Sequence, residues 1–372
     1  MVKLFIVVNE DRFFLSHRKD IALAAVKNGY DVTIITKNTG LLNNIKELGL
    51  KVCELPINPI GMNLIQECRT FNFLLTLYRY EKPDIVHHVG LKNILWGGLA
   101  ARIAKIPGVV NAVSGLGGLF NNNRISLINR GILAIIRYAN KRPGVRVIFQ
   151  NNDDFEIMYH YSVIHKDQVV FTKGSGIDLY DYHYENPPTS RPIKIIFTGR
   201  MVKEKGVLDL IYAAELLRKE FEDKVQFLLC GRPTLNKTGL SAEKLHTLCD
   251  GKYICYMGER SDIKELLTTS HIMAFPSYYR EGVPKSLIEA SAIGRPIVTC
   301  DSTGCRDVVD EGINGFKIKP RDVEDLAAKL RKLILSDELR KCMGIAARKK
   351  AEREFSIDKV IETHLKIYNE LF

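Results

Sequence analysis

Ile193-Lys194-Ile195-Ile196-Phe197-Thr198-Gly199-Arg200 opens the second half of this chain, and it continues through Met201–Gly206 into a helical pattern. Its first six residues are short, β-branched and closed by glycine, as expected of a strand buried on both faces of a parallel sheet. The amphipathic stretch 206–220 then supplies a crossover helix, so the unit reads as the start of a βαβ array. Further strands are expected at 225–230, 253–256, 272–275, 296–300 and 316–318, with helices at 262–268, 284–293, 322–335 and 337–353.

The same alternation fills the first half. Strands are expected at 3–9, 31–36, 51–55, 84–88, 108–113, 145–150 and 168–171, and helices at 16–28, 63–80, 92–104 and 125–140. Lys173–Asp178, followed by Asn186-Pro187-Pro188 and Pro192, has the glycine and proline content of a boundary. The expected architecture is therefore α/β, with two Rossmann-like doubly wound parallel-sheet domains, 1–172 and 173–355. Open parallel sheets bind ligands beyond the carboxyl ends of their strands, so two such sheets would face a central cleft. The last helix, 356–372, has no strand after it and is expected to pack back on the first domain.

A chain of 372 residues with 46% hydrophobic and 26% charged residues suits two globular domains. No run approaches the roughly 18 apolar residues of a membrane span. Met1–Val8 is apolar but lacks a small-residue cleavage site, so it reads as a first strand and places the chain in the cytoplasm. The eight cysteines show no metal-ligand spacing, which leaves reduced, mostly buried thiols and no expected metal.

The net charge of +11 is unevenly spread. No acidic residue lies between Asp84 and Asp153, whereas Lys92, Arg102, Lys105, Arg124, Arg130, Arg137, Lys141, Arg142 and Arg146 do. A solvated basic face explains any one of them; the block as a whole suits attraction to phosphates. Ser126, Arg130, Arg137 and Lys141 fall on one helical stripe, with Ile125, Ile128, Ile132, Ile135 and Ile136 on other faces. Such a helix can rest on anionic headgroups, which suggests an anionic membrane surface as partner and peripheral association with the inner face of the cell membrane. No stacking aromatics or recognition helix accompany it, so nucleic acid is not an expected partner.

Two segments of the second half carry chemistry. After the strand ending at Phe275, the loop Pro276–Gly282 leads through Val283 to Pro284, a residue suited to a first helical position. Gly282 permits close approach of a ligand, and free N–H groups at a helix start favour an anion such as a diphosphate. Glu281 and Glu289 are natural acceptors for vicinal hydroxyls. On these residues alone, a solvated pair of glutamates flanking a helix explains the spacing equally well. The second segment, Gly199-Arg200 to Lys205-Gly206, brings a guanidinium fork and a mobile ammonium to the end of the domain's first strand.

Together, Gly199-Arg200, Lys205-Gly206, the turn Gly258–Asp262, Pro276-Ser277, Glu281-Gly282, Pro284, Glu289-Ala290, Gly294, Pro296 and Gly312–Gly315 resemble the retaining family-4 glycosyltransferases of GT-B fold. The resemblance runs over the whole second half. It implies that Arg200 and Lys205 bind the donor diphosphate, that Glu281 contacts the donor sugar and Glu289 the ribose. It also implies that the backbone at Gly282 and Val283 meets sugar or phosphate, and that the loop bearing Gly258 and Arg260 serves the base. The implied reaction retains anomeric configuration by a front-face path, without a metal; no Asp-x-Asp pair is present. No cofactor is implied beyond the co-substrate UDP-sugar.

In the first half, Asp84–His88 resembles the strand-end segment often found in first domains of these enzymes, and Val113-Ser114-Gly115-Leu116-Gly117-Gly118-Leu119-Phe120 resembles the Gly-rich loop of transferases acting on polyprenyl-diphosphate sugars, some of which add N-acetylgalactosamine. Leu15-Ser16-His17-Arg18 and Ser261-Asp262-Ile263 extend that likeness. The first loop, Asn9–His17, lacks the glycine pair many members carry, and the loop at 113–118 lacks a histidine found in several. His17, Arg18, Lys92, Ser114 and Gly115 are the resulting candidates for acceptor or phosphate contact. The implied partners are a nucleotide-sugar donor and a lipid-linked saccharide acceptor. A GT-B-fold sugar-nucleotide epimerase and a non-catalytic sugar-nucleotide-binding protein share the architecture and stay open.

Overall fold

The computed structural model describes the chain except residues 59, 60, 62, 118–125 and 235–237. It divides into two compact units, Met1–Ser175 with Ile357–Phe372, and Gly176–Ser356.

Unit 1 is built on β1 (Val2–Glu10), β2 (Tyr30–Lys37), β3 (Lys51–Glu54), β4 (Ile85–Val89), β5 (Gly108–Val113), β6 (Val145–Phe149) and β7 (Val169–Phe171). Its helices are α1 (Asp11–His17), α2 (Lys19–Lys27), α3 (Leu42–Glu47), α4 (Leu64–Glu81), α5 (Leu91–Ile103), α6 (Leu127–Asn140) and α7 (Asn152–His160). The seven strands pair in the order β3-β2-β1-β4-β5-β6-β7, all parallel. Leu4, Ile6, Val7, Ile85, Val86 and Val110 are fully covered, because helices lie on both faces of the sheet.

One expected loop is a helix. Asn9–His17 coils into α1 from Asp11, whose buried carboxylate accepts from the backbone N–H of Thr39 at 2.8 Å and of Leu41 at 2.9 Å. Phe14 turns into the core. These contacts to the segment after β2 are long-range, and no side chain caps the helix start, so local pattern gave no sign of it.

Four polar residues in the centre of this unit form a buried network. His88 meets Tyr78 Oη and Asn111 Oδ1, both at 2.9 Å, and Asn111 donates to Asn140 Oδ1 at 2.9 Å. The last helix of the chain, α14 (Ile357–Leu371, the numbers α8–α13 falling in unit 2), packs on α2 and β5. Tyr368 Oη bonds His87 Nδ1 at 2.7 Å, and Tyr30 Oη donates to Asn369 Oδ1 at 2.6 Å.

Unit 2 contains β8 (Ile193–Thr198), β9 (Val225–Cys230), β10 (Ile254–Gly258), β11 (Ile272–Phe275), β12 (Ile297–Cys300) and β13 (Gly315–Ile318). Its helices are α8 (Val207–Phe221), α9 (Ala242–Leu248), α10 (Ile263–Thr268), α11 (Lys285–Ile293), α12 (Val323–Leu335) and α13 (Asp337–Lys350), the last continued by a π-helical turn at Ala351–Phe355. The parallel order β10-β9-β8-β11-β12-β13 places the reversal of winding between β8 and β11. The α9 helix, capped by Ser241, was not expected. Arg295 is fully buried without an acidic partner; it donates to the carbonyls of Leu267 at 3.0 Å, Thr268 at 2.9 Å and Glu185 at 2.9 Å, which ties the end of α10 to the segment before β8.

Candidate active site

In a doubly wound sheet the ligand crevice lies beyond the strand ends where the winding reverses. In unit 2 those strands are β8 and β11, and the two charged segments singled out in the sequence are the loops that follow them.

After β8 the chain passes Gly199-Arg200 and makes a 3₁₀ turn at Lys203–Lys205 before α8 begins. Gly206 sits at φ +75°, and a Cβ there would lie 2.1 Å from the carbonyl oxygen of Pro276. Only glycine lets the two loops close to that distance. The contact is sewn by one carbonyl: Glu204 O accepts from the N–H of Tyr278 at 2.9 Å and of Tyr279 at 3.0 Å. On the far side Gly304, at φ +80°, brings the loop after β12 to within 1.9 Å of Gly282 O, measured from where its Cβ would stand.

These contacts bring Lys205 to Glu281. Lys205 Nζ donates to the two carboxylate oxygens at 2.7 and 2.5 Å, and Ser277 Oγ donates to Oε1 at 3.2 Å. The ammonium also sits over the Phe275 ring, 4.8 Å from its centroid. Arg200 is exposed, its guanidinium 5.9 Å from the centroid of Tyr279, and Lys205 stands 6.0 Å from the same ring. Tyr279 thus neighbours both cations, a contact that the sequence did not suggest.

Pro284 is the N-cap residue and not the first helical position, so α11 starts at Lys285. Gly282, Val283 and Pro284 are buried beside the helix start. Glu289 lies in α11, its carboxyl pushed up to about 7 by burial, against the opposing pull of Lys285 and a hydrogen bond from Tyr182. Tyr182 comes from the segment preceding β8, where no motif marks it; its carbonyl accepts from Arg348 Nη1 at 2.6 Å. Gly258 occurs at φ +69°, and Arg260 is already engaged by Asp262 through bonds of 2.8 and 2.6 Å. Cys305, buried near Glu281, has its thiol pushed up to about 12 by burial and is inert.

The first-half candidates are less uniform. Ser114 Oγ and Asn9 Nδ2 flank Gly90, which caps α5 at φ +84°. Asn93 Nδ2 donates to Asn9 Oδ1 at 2.9 Å and Val89 O at 2.8 Å, while the buried Asn93 Oδ1 has no bond among the described residues. This polar corner lies at the ends of β1 and β4, the reversal point of the first sheet; the sequence suggested Ser114 and Gly115 there but neither asparagine. Gly118, Leu119, Phe120, Arg124 and Ile125 lie outside the described residues.

Three expectations, on Lys92, Arg18 and Ser126, are corrected. Lys92 is not a free phosphate ligand: its ammonium donates to Asn58 O at 2.7 Å, Gly61 O at 2.6 Å and Glu67 Oε1 at 2.6 Å, which uses all three protons. Arg18 is buried, with burial pulling it down to about 10, and donates to His17 O at 2.8 Å, away from solvent. His17 is half-buried, stacked 4.2 Å from the Phe13 ring centroid and bonded to Ser16 Oγ at 2.7 Å, contacts that leave its candidacy unchanged. In the basic block, Ser126 is the N-cap of α6, accepting from Asn129 N–H, and not part of a stripe. Arg102 donates to Lys141 O at 2.7 Å and Arg146 pairs with Glu370 at 3.5 Å, whereas Arg130, Arg137 and Lys141 are exposed.

Residues 181–350 match the family model described as glycosyl transferases group 1, and residues 3–152 match the one described as glycosyl transferase 4-like. Over 378 residues the chain is 26% identical to the N,N'-diacetylbacillosaminyl-diphospho-undecaprenol alpha-1,3-N-acetylgalactosaminyltransferase of Campylobacter jejuni, covering 96% of this chain and 97% of that one. It is 24% identical over 351 residues to the UDP-Gal:alpha-D-GlcNAc-diphosphoundecaprenol alpha-1,3-galactosyltransferase of Escherichia coli, covering 91% and 89%. The solved Anabaena protein HepE in complex with UDP and glucose shares the fold, with a TM-score of 0.79 at 16% identity over 100% of both chains. The epimerase alternative finds no support in these likenesses.

Proposed function

We propose, from the premise that this chain belongs to the GT-B glycosyltransferases with a 4-like first domain and a group 1 second domain, that it moves a hexose or N-acetylhexosamine from a UDP-sugar to a polyprenyl-diphosphate-linked saccharide at an anionic membrane surface. The Campylobacter and Escherichia relatives, by their names, act on such lipid-linked sugars.

One observation carries the donor half: Lys205 and Glu281 meet beside the solvent-open Arg200 at the β8/β11 reversal of unit 2. Arg200 and Lys205 supply fork and point charge to a departing diphosphate, while Glu281 accepts from sugar hydroxyls and Glu289 from ribose hydroxyls. Catalysis then comes from positioning and from stabilising the charge that grows on the leaving group. The reaction keeps the anomeric configuration of the donor.

The test is a screen of UDP- and GDP-sugars against short polyprenyl-diphosphate saccharides, with the linkage of the product read by NMR. Transfer to a lipid-linked acceptor with an α-linked product is expected. A β-linked product from an α-linked donor overturns retention, and transfer confined to soluble sugars overturns the lipid acceptor.

A further inference from the structure

Two helix tips in unit 1 remain uncovered. α4 and α6 both follow parallel strands and run back against them, so both begin at the carboxyl edge of the sheet. α5 packs against each of them, which sets the tips about 20 Å apart at ordinary helix spacings. In the first turn of α4, Leu64 is 78% and Ile65 81% exposed; in the first turn of α6, Leu127 is 83% and Ile128 68% exposed. The core contact of α6 is made further on, by Ile132, Leu133 and Ile136. Four large aliphatic side chains in two adjacent pairs are therefore left in water at one edge of the unit, the kind of patch that marks a contact surface.

The charges around the tips are of one sign. α6 contains no acidic residue, and Arg130, Arg137 and Lys141 stand exposed along it. Arg69 is exposed one turn past Ile65. The acids of α4 are committed: Glu67 is buried against Lys92, and Glu81 pairs with Lys3 at 2.9 Å. The positive ends of both helix dipoles point the same way as the aliphatic pairs. A second copy of the chain would bring these cations face to face, whereas an anionic bilayer supplies both the opposite charge and an apolar interior.

We propose that Leu64-Ile65 and Leu127-Ile128 form a two-point membrane insert, dipping below the headgroups of an anionic bilayer while Arg69, Arg130 and Arg137 engage lipid phosphates. The inference rests on the reading of a membrane-borne acceptor, but binding to vesicles can be measured without donor, acceptor or transfer.

Sedimentation of the full chain with vesicles of phosphatidylglycerol and phosphatidylcholine, and with phosphatidylcholine alone, tests it. Joint Leu64→Ser, Ile65→Ser, Leu127→Ser and Ile128→Ser changes are expected to weaken partition into the anionic vesicles by about tenfold or more. Arg130→Ser with Arg137→Ser should remove most of the preference for phosphatidylglycerol. Melting should be unchanged in the aliphatic variant, since all four side chains are exposed. Its transfer to a water-soluble short-chain acceptor should match the unaltered chain while transfer to a vesicle-borne acceptor falls. Equal partition of variant and unaltered chain overturns the proposal. So does a concentration-dependent dimer that the serine changes abolish while vesicle binding persists. Vesicle binding that depends on the four aliphatics, in a chain that transfers to no acceptor, upholds the surface and overturns the proposed function.

Discussion

Lys205 Nζ and Glu281, 76 positions apart in sequence, form a two-oxygen ion pair at 2.7 and 2.5 Å, with side-chain exposures of only 9% and 17%. Each partner holds the other in place, and each is proposed to contact a different part of the donor. Lys205→Ala should lower kcat/KM by about a hundredfold or more, the usual scale for losing one preorganised charge at a leaving group. Glu281→Gln keeps the shape but drops the charge, and should free the ammonium while losing sugar orientation. Because the two act as a unit, the double variant should be scarcely worse than either single one. Steady-state kinetics on the four proteins measures this; strictly multiplicative losses would mean independent roles.

If Glu289 holds the donor as proposed, donor binding should depend on pH. Burial raises its carboxyl to about 7, and the Tyr182 hydrogen bond and Lys285 pull against that rise. Above pH 7 the group is a carboxylate, able to accept from two vicinal hydroxyls; below it, one oxygen carries a proton. KM for the donor should therefore climb as pH falls through about 7. Tyr182→Phe removes a bond that favours the charged form, so the inflection should move to higher pH. Profiles of KM and kcat against pH for both proteins settle it: an inflection that stays in place would show that Tyr182 does not act through Glu289.

The strand ends and the order of charged loops were legible because they rest on local pattern: β-branched runs, glycine turns, and proline before a helix. What was not legible depends on distance. Besides a local bond from Arg12 N–H, the Asp11 carboxylate at the start of α1 is held by Thr39 and Leu41, which no window around Asn9–His17 contains. Lys92 looked available until Glu67, 25 positions earlier, was found beneath it. Tyr182 lies in an irregular segment, and its meeting with Glu289 is set by where the chain enters unit 2. The glutamates, Arg200 and Lys205 stand out in local pattern and take their roles from a resemblance; the winding order explains why their two loops become neighbours.

Gly304 is predicted to be intolerant of any side chain. Its φ of +80° already disfavours one, and a Cβ would stand 1.9 Å from Gly282 O and 2.7 Å from Glu281 O. Both atoms are backbone and cannot swing aside. Gly304→Ala should push the 281–282 peptide out of line, costing roughly 2 kcal/mol of stability or more, and it should lower donor affinity further than the stability loss alone explains. Isothermal titration of a UDP-sugar alongside thermal melting separates the two; unchanged affinity in a folded variant would show that the loop after β12 does not hold Glu281.

Acid should weaken unit 1 before its carboxylates titrate. Burial pulls His88 down to about 4 and His364 to about 3, and it lowers His87 well below its ordinary value. His364 Nδ1 faces Val360 O at 2.7 Å, so it must donate, leaving Nε2 without a partner among the described residues; a proton there would add a second charge near the Arg18 guanidinium, which burial already penalises. In the unfolded chain these rings take up protons near pH 6.5, whereas the folded chain refuses them until about pH 4 or lower. Stability is thus greatest above pH 6.5 and falls from there down to the folded values, with a slope on the order of 1 kcal/mol per pH unit for each histidine. Urea midpoints at pH 7.5, 6.0 and 5.0 should decline in that order, and His364→Phe should flatten the decline, since it removes one ring that the unfolded state protonates. A midpoint independent of pH across that window would mean that the rings can be charged in place, and that the surroundings of His364 are open to water.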